Sequence, residues 1–443
     1  MNFDQVAALV VLVAVVGVLI HGKVRSDVAA LSAAAALLLL GVVRPSEVQG
    51  AFASPAILAL ASLFVIAYAI ELSGLLGLLI RQATRMCARL GERGLWLVIG
   101  LCGSVGGFLN NTPIVVLAAP VIKDVATSLG LSPKRFLMPL SYVTVMGGLL
   151  TLIGTSTNLL VNDMARNAGQ PAFSLFEITP VGLVVALAGA LYLYAFGTRL
   201  LPKDEEVKVS SLAAPIRLGE QRGHEGGSGD AVLGDVALFG AADRPLQPRK
   251  AVLSFGVFVA VVAAAAAGAA PIAAAAFAGA VALILLRVVT PEEAYAGLRP
   301  DVLLLIAGMV VVGMSIEITG LAAAGTELLI GFIRPFGPLA ALVILYGVTL
   351  VATEFLSNAA VAVLITPVAV ALAESLGVDP RPFLVGVMMA ASAAFATPFG
   401  YQTNVLVFQM GGYSYMDFVR VGAPLNLVTW IAAMIAIPVF FPF

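Results

Sequence analysis

Two short polar clusters stand inside apolar runs of this chain, Asn110-Asn111-Thr112 and Ser357-Asn358-Ala359, 247 positions apart. Amides and hydroxyls of this kind serve two chemistries at once. The side-chain carbonyl of Asn111 or Asn358 can coordinate a small cation while the amide N–H₂ faces an anion. In hydrocarbon an unpaired group costs several kcal/mol, roughly, so two clusters in corresponding places point to groups kept for a ligand. Polar residues that only pack one helix on another leave the same local trace, and that alternative stays open.

Beyond each cluster lies a second interruption, Thr151 to Asn158 in one case and Thr397 to Asn404 in the other. Gly154, Pro398 and Gly400 unwind a helix and free carbonyls for a cation, while the ends of half-helices present N–H groups to an anion. The clusters contain no Lys, Arg, Asp or Glu, which suits a divalent oxyanion held by neutral donors with bound sodium supplying positive charge. Proton coupling calls for an acid in the pathway, and Glu354 is the candidate. Glu71 and Glu317 read as a symmetric structural pair at helix ends. Enzyme chemistry is not expected, because His21 and His224 are the only histidines and neither falls in the core of the pattern. Cys87 and Cys102 offer no metal spacing and read as buried small residues. No cofactor is implied beyond sodium as coupling ion.

The elements that must position these residues are set by composition. Of 443 residues 60% are hydrophobic and 11% charged, with a mean hydropathy of +1.04 and a formal net charge of −1. Such a chain is an all-α polytopic membrane protein, and it has no electrostatic case for nucleic acid. Asp4 before the first apolar run and Lys23 and Arg25 after it are the reverse of a signal peptide, so residues 6–20 read as a retained helix.

The chain repeats. Pro45 and Pro291, Glu47 and Glu293, Gly74 and Gly320, Thr151 and Thr397, and Asn158 and Asn404 each stand 246 apart. This divides the chain into a first repeat over 1–201 (helices 6–80, hairpin 96–122, helices 136–200), a cytoplasmic linker over 202–250 and a second repeat over 251–443 (helices 251–323, hairpin 338–370, helices 383–441). Internal repeats in a helical membrane protein point to a transporter with its site at their interface.

Segment 96–122 has Arg81, Arg85, Arg89 and Arg93 before it and Lys123, Lys134 and Arg135 after it, so a simple crossing would set one basic cluster outside. A re-entrant hairpin keeps both inside, with arms of about 12 residues that reach roughly 18 Å and bring the tip near the midplane. Each half then crosses five times and the second is inverted relative to the first. Of the 24 Lys and Arg, all but Arg44, Arg166, Arg334 and Arg381 fall on the cytoplasmic side. Both termini face outward.

At these residues the chain resembles the divalent anion:sodium symporters, the dicarboxylate and sulfate transporters of the ion transporter superfamily. The resemblance covers both halves and rests on Asn110-Asn111-Thr112 and Ser357-Asn358-Ala359, similar to that family's paired Ser-Asn-Thr tips, and on the Gly154-Thr155 and Ala396-Thr397-Pro398 turns. It implies an elevator-type homodimer in the bacterial inner membrane, with the first helices of each repeat as scaffold and the hairpins and following helices as the transport part. Carried over by position, Asn111 and Gly154 belong to one sodium site and Thr353, Asn358 and Ala396 to the other. Asn110, Asn111, Thr112, Thr155, Ser357, Asn358, Thr397 and Pro398 stand at the substrate.

The chain departs from the pattern at both tips: Asn110 replaces the first Ser and Ala359 the second Thr, so each tip lacks a hydroxyl. The stretch from Tyr401 to Gly412 resembles the branch linked to sulfate, which often carries cytosolic domains between its halves; 202–250 is too short for them. The expected function is sodium-coupled symport of a small divalent anion, sulfate ahead of C4-dicarboxylates. The alternatives are a proton-coupled anion transporter, a cation/proton antiporter or a metalloid efflux permease.

Overall fold

The computed structural model describes residues 3–21, 24–79, 82, 90–197, 200–201, 245–321, 337–398 and 400–443. The linker over 202–244, with His224, lies outside the described residues, as do Arg81, Arg85, Cys87, Arg89 and Arg334 and the side chains of His21 and Glu317. Among the described residues the chain is helical throughout and holds no strand.

In the first half the helices are α1 (Phe3–His21), α2 (Ser26–Leu39), α3 (Pro45–Phe52), α4 (Pro55–Leu72), α5 (Glu92–Gly106), α6 (Asn111–Ser128), α7 (Lys134–Gly147), α8 (Ser156–Asn167) and α9 (Thr179–Tyr192). In the second they are α10 (Pro248–Ala266), α11 (Ile272–Leu285), α12 (Pro291–Gly297), α13 (Pro300–Ile318), α14 (Gly337–Thr353), α15 (Asn358–Leu376), α16 (Arg381–Ala391), α17 (Gln402–Gly411) and α18 (Tyr415–Phe440). The paired positions of the sequence become paired helix ends. Pro45 and Pro291 each open a short helix, where a missing N–H costs nothing. Glu47 and Glu293 reach back to the N–H of Arg44 and Thr290, at 2.6 and 2.9 Å, and at the second the Thr290 hydroxyl accepts from Glu293 N at 3.2 Å to complete a capping box. Gly74 and Gly320 both turn with left-handed φ of 74° and 71°, a conformation that favours glycine.

Packing follows the same correspondence. Helix α2 lies against α13 and α4 against α11, so the early helices of each half hold those of the other. The hairpin pairs α5 with α6 and α14 with α15, and each tip helix packs across the halves, α6 on α17 and α15 on α8. One continuous apolar core joins α5 to α9 with α13 to α18, and a second, smaller one joins α4 with α10 and α11.

Five helical stretches among the described residues are long and apolar enough to cross a membrane, and the bent pair α12–α13 makes a sixth. The other expected crossings are built from shorter pieces, because polar turns split them: α7 and α8 are parted by residues 148–155, and α16 and α17 by 392–401. The hairpin arms are longer than expected. They run 15, 18, 17 and 19 residues in α5, α6, α14 and α15, since the helices continue beyond the apolar run into exposed ends such as Asp124 and Glu374. At 1.5 Å per residue they reach about 22–29 Å rather than 18.

Candidate functional site

Each tip is the start of a helix capped by its own motif. The Asn110 side chain accepts from Thr112 N at 3.3 Å to open α6, and Ser357 Oγ accepts from Ala360 N at 3.3 Å to open α15. The turn that faces each tip is tied by the same bonds in both halves. Asn158 Nδ2 donates to the carbonyls of Gly148 and Thr151, at 3.3 and 3.0 Å, and Asn404 Nδ2 to those of Ala394 and Thr397, at 2.9 and 3.3 Å. The Thr151 hydroxyl donates to the carbonyl of Gly107, and the Thr397 hydroxyl to that of Glu354. Two helix starts and two unwound turns are thereby fixed around a common space.

That space is a cavity of about 390 Å³. Of the residues expected at the substrate, Asn110, Thr112, Thr155, Ser357 and Asn358 line it, together with Gly154; Asn111, Thr397 and Pro398 do not, nor do Thr353 and Ala396. Its walls otherwise come from α4, α10 and α13, through Leu60, Phe64, Phe258 and Leu305.

Behind the first tip the oxygens converge. Asn111 is 1% exposed, and its Oδ1 has no hydrogen-bond partner. A Cβ placed on Gly154 would stand 2.5 Å from the Gly148 carbonyl oxygen and 2.9 Å from that of Gly107, and one on Gly148 would stand 3.2 Å from the Gly154 oxygen. Such a cradle of neutral oxygens with an orphaned buried acceptor fits a small hard cation. Behind the second tip the side chains are bonded to one another: Thr353 Oγ1 lies 2.8 Å from Asn358 Oδ1 and 2.7 Å from the Ala391 carbonyl.

Four features escaped the sequence reading. Tyr401 and Gln402 cross from the second half to the first tip, where the Asn111 amide donates to the Tyr401 hydroxyl at 3.1 Å and the Thr112 hydroxyl to Gln402 Oε1 at 3.3 Å. Arg299, at the start of α13, lines the cavity and lies 3.5 Å from Asp301. Asn426 donates to Glu354 Oε1 at 2.7 Å, beside the Ala396 N–H at 2.8 Å. Ser54, before α4, is hydrogen-bonded to the buried carboxylate of Asp163 on α8. Glu354, one residue past the end of α14, fastens the unwound turn to α18 and also lines the cavity.

The helix starts and broken turns thus bring polar groups to a cavity inside an apolar helical body. The family model described as citrate transporter matches residues 11–377. The chain belongs to the citrate transporter family. This is a family of transporters and not of enzymes, and its member here is an integral membrane protein. A second model, the sodium:sulfate symporter transmembrane region, matches residues 325–442 of this citrate transporter family member, in keeping with the resemblance to the divalent anion:sodium symporters. The uncharacterized transporter YfbS of Escherichia coli is 25% identical, with 100% of each chain covered. That alignment spans 610 positions against 443 residues here, so the relative carries stretches that this chain lacks. The sodium-dependent dicarboxylate transporter SdcS of Staphylococcus saprophyticus is 25% identical over 89% of this chain and 78% of its own. Sodium/sulfate cotransporter 1 of Chlamydomonas reinhardtii is 33% identical over 35% of this chain and 18% of its own.

Proposed function

We propose that the protein imports a small divalent anion, sulfate ahead of C4-dicarboxylates, by symport with sodium. The observation that carries this reading is the joining of both tips and both turns around one cavity whose tip donors are neutral, with an oxygen cradle behind Asn111 and Gly154. Arg299 brings a positive charge to the cavity wall, beside Asp301 and on the same cavity as the Glu354 carboxylate. The second sodium would be held by Thr353, Asn358 and Ala396, and the substrate by Ser357 and Asn358 with Asn110, Thr112 and Thr155 opposite. Asn111, Thr397 and Pro398 would support these groups from behind.

The two halves are inverted repeats and the hairpins re-entrant. This rests on the charge distribution and on the burial of the tips: Asn111 and Asn358 lie against turns that interrupt α7–α8 and α16–α17 partway along, where the far end of a full crossing would meet water. Residues 6–80 and 251–323 form a scaffold and the hairpins with 136–200 and 383–441 an elevator-type transport part, in a homodimer of the bacterial inner membrane with both termini outside. The short linker leaves no cytosolic regulatory domain.

Uptake of radiolabelled sulfate into proteoliposomes tests the reading. Accumulation is expected only under an inward sodium gradient, and equal uptake without sodium removes the coupling. A second reading, proton coupling, draws on Glu354 Oε2, which is buried at the cavity without a partner. A requirement for a proton gradient in the same vesicles selects it. A cation/proton antiporter or metalloid permease is disfavoured by the lack of an acid at either tip, and sodium/proton exchange without any anion would restore it.

A further inference from the structure

The tips and turns make one side of the cavity, and α4, α10 and α13 make the other. The second side is apolar, through Leu60, Phe64, Phe258, Val302 and Leu305, save for Arg299, the one Lys or Arg among the lining residues. Its place is set by the backbone. Leu298 and Arg299 part α12 from α13 where the two bend by 57°, and the Arg299 carbonyl starts α13 by accepting from Val302 N and Leu303 N at 3.1 and 3.0 Å. The repeat does not supply this group, since the position 246 places earlier is Ala53. Nor does the helix call for it, because the dipole at a helix start disfavours a cation.

The bonds that the guanidinium makes leave most of it to give. A like Arg-x-Asp start stands at α2, where Arg25 closes two bonds on Asp27, at 3.1 and 2.9 Å. Arg299 makes one bond to Asp301, at 3.5 Å, and Asp301 lies outside the lining, 43% exposed and within electrostatic reach of Arg25 as well. A long, exposed pair of this kind holds little, and it engages one of five N–H donors. Glu354 is the one acid on the lining, and among the described residues no ion pair joins it to Arg299; its Oε1 is taken by Ala396 N and Asn426. We propose that Arg299 is a substrate-binding residue: its guanidinium takes one edge of the divalent oxyanion from the α13 side, while the neutral donors of the tips and turns take the other. An anion in the cavity draws Arg299 from Asp301, so Asp301 competes for the same charge. The assignment deepens the anion-import reading and rests on it.

Equilibrium binding of labelled sulfate to the purified full-length chain in sodium tests it, with sulfate uptake into proteoliposomes measured beside it. Arg299→Gln is expected to raise the dissociation constant about tenfold, and Arg299→Lys, which keeps the charge and loses the planar fork, about threefold. Asp301→Asn removes the competitor and lowers the constant about threefold. If the pair serves only to hold the start of α13, Arg299→Gln and Asp301→Asn lower the melting temperature alike and neither tightens binding, which overturns the assignment. Should Arg299→Gln fail to fold, Asp301→Asn decides: sulfate bound no more tightly than by the unaltered protein overturns it. Unaltered sulfate binding in a folded Arg299→Gln removes the role of Arg299 and leaves anion import standing. Absence of sodium-dependent binding and uptake of sulfate and succinate alike in the unaltered protein overturns the import reading, and the assignment with it.

Discussion

The two hairpin tips share a motif and a frame of hydrogen bonds, and they differ in what lies beneath them. Under the first are Gly106 and Gly107; under the second, Thr353 and Glu354. The glycines leave room for backbone oxygens to close on Asn111, whereas Thr353 binds Asn358 directly and Glu354 fastens the turn over residues 393–400. A duplicated frame therefore carries two unlike sites, and the unlikeness is held in the residues around the motif rather than in the motif. At the first tip the amide oxygen of Asn111 is without a partner, at the second the amide nitrogen of Asn358.

Aspartate substitutions separate the two. Asn358→Asp removes an unpartnered amide donor at the cavity and sets a negative charge beside the anion, where like charges about 4 Å apart cost roughly 4 kcal/mol at an effective dielectric of 20, a near-thousandfold loss of affinity. Uptake is expected to vanish while the protein still inserts and purifies. Asn111→Asp replaces the amide that donates to Tyr401 with a buried carboxylate outside the cavity lining, and is expected to weaken anion affinity about tenfold while altering the sodium dependence more strongly. Equal anion defects in the two variants, measured by uptake against sulfate concentration, would erase the distinction drawn here.

Glycine-to-alanine changes in the two turns give a smaller contrast. Gly154→Ala drives a methyl group against two backbone oxygens of the cradle, at 2.5 and 2.9 Å, and neither can retreat as a side chain would. The sodium concentration for half-maximal uptake is expected to rise about tenfold. Gly400→Ala meets the Ala394 methyl at 2.8 Å and the Thr397 hydroxyl at 3.0 Å, and is expected to shift it about threefold or less. The smallest effect is expected from Glu354→Gln, which keeps an acceptor for Ala396 N and Asn426: uptake falls by no more than about threefold and stays sodium-dependent. Loss of sodium dependence in that variant would make the second tip the one that sets the coupling.

Much of the frame was legible in the sequence because polar residues inside apolar runs are conspicuous and paired offsets survive without any structure. Pro45 and Pro291, Glu47 and Glu293, and Gly74 and Gly320 announced paired ends, and each proved to be a cap or a left-handed turn. The hairpin arms were misjudged because an apolar run ends where the hydrocarbon ends, while a helix ends only where its backbone bonds do. The partners of the tips were not legible, since the bond from Asn111 to Tyr401 joins residues 290 apart and nothing local foretells it. One signal was available and went unused. Where the halves align but differ in chemistry, as Tyr401 against Thr155, Gln402 against Ser156 and Glu354 against Gly107, the second half supplies a group that lines the cavity.

Several buried hydrogen bonds run through the interior between the halves. The Tyr142 hydroxyl donates to the Phe395 carbonyl at 2.7 Å, Ser141 donates to Asn404 Oδ1 at 2.7 Å, and the Tyr413 hydroxyl accepts from Met138 N at 2.9 Å. Half of each bond is encoded on either side of the linker. Recombination with a related gene at residues 202–250, which looks like the natural seam, therefore leaves every one of these groups facing a stranger. Chimaeras cut there inherit two intact motifs and an interior matched on one side only, and a viable exchange has to carry the side chains of Ser141 and Tyr142 together with those of Asn404 and Tyr413 beyond the seam.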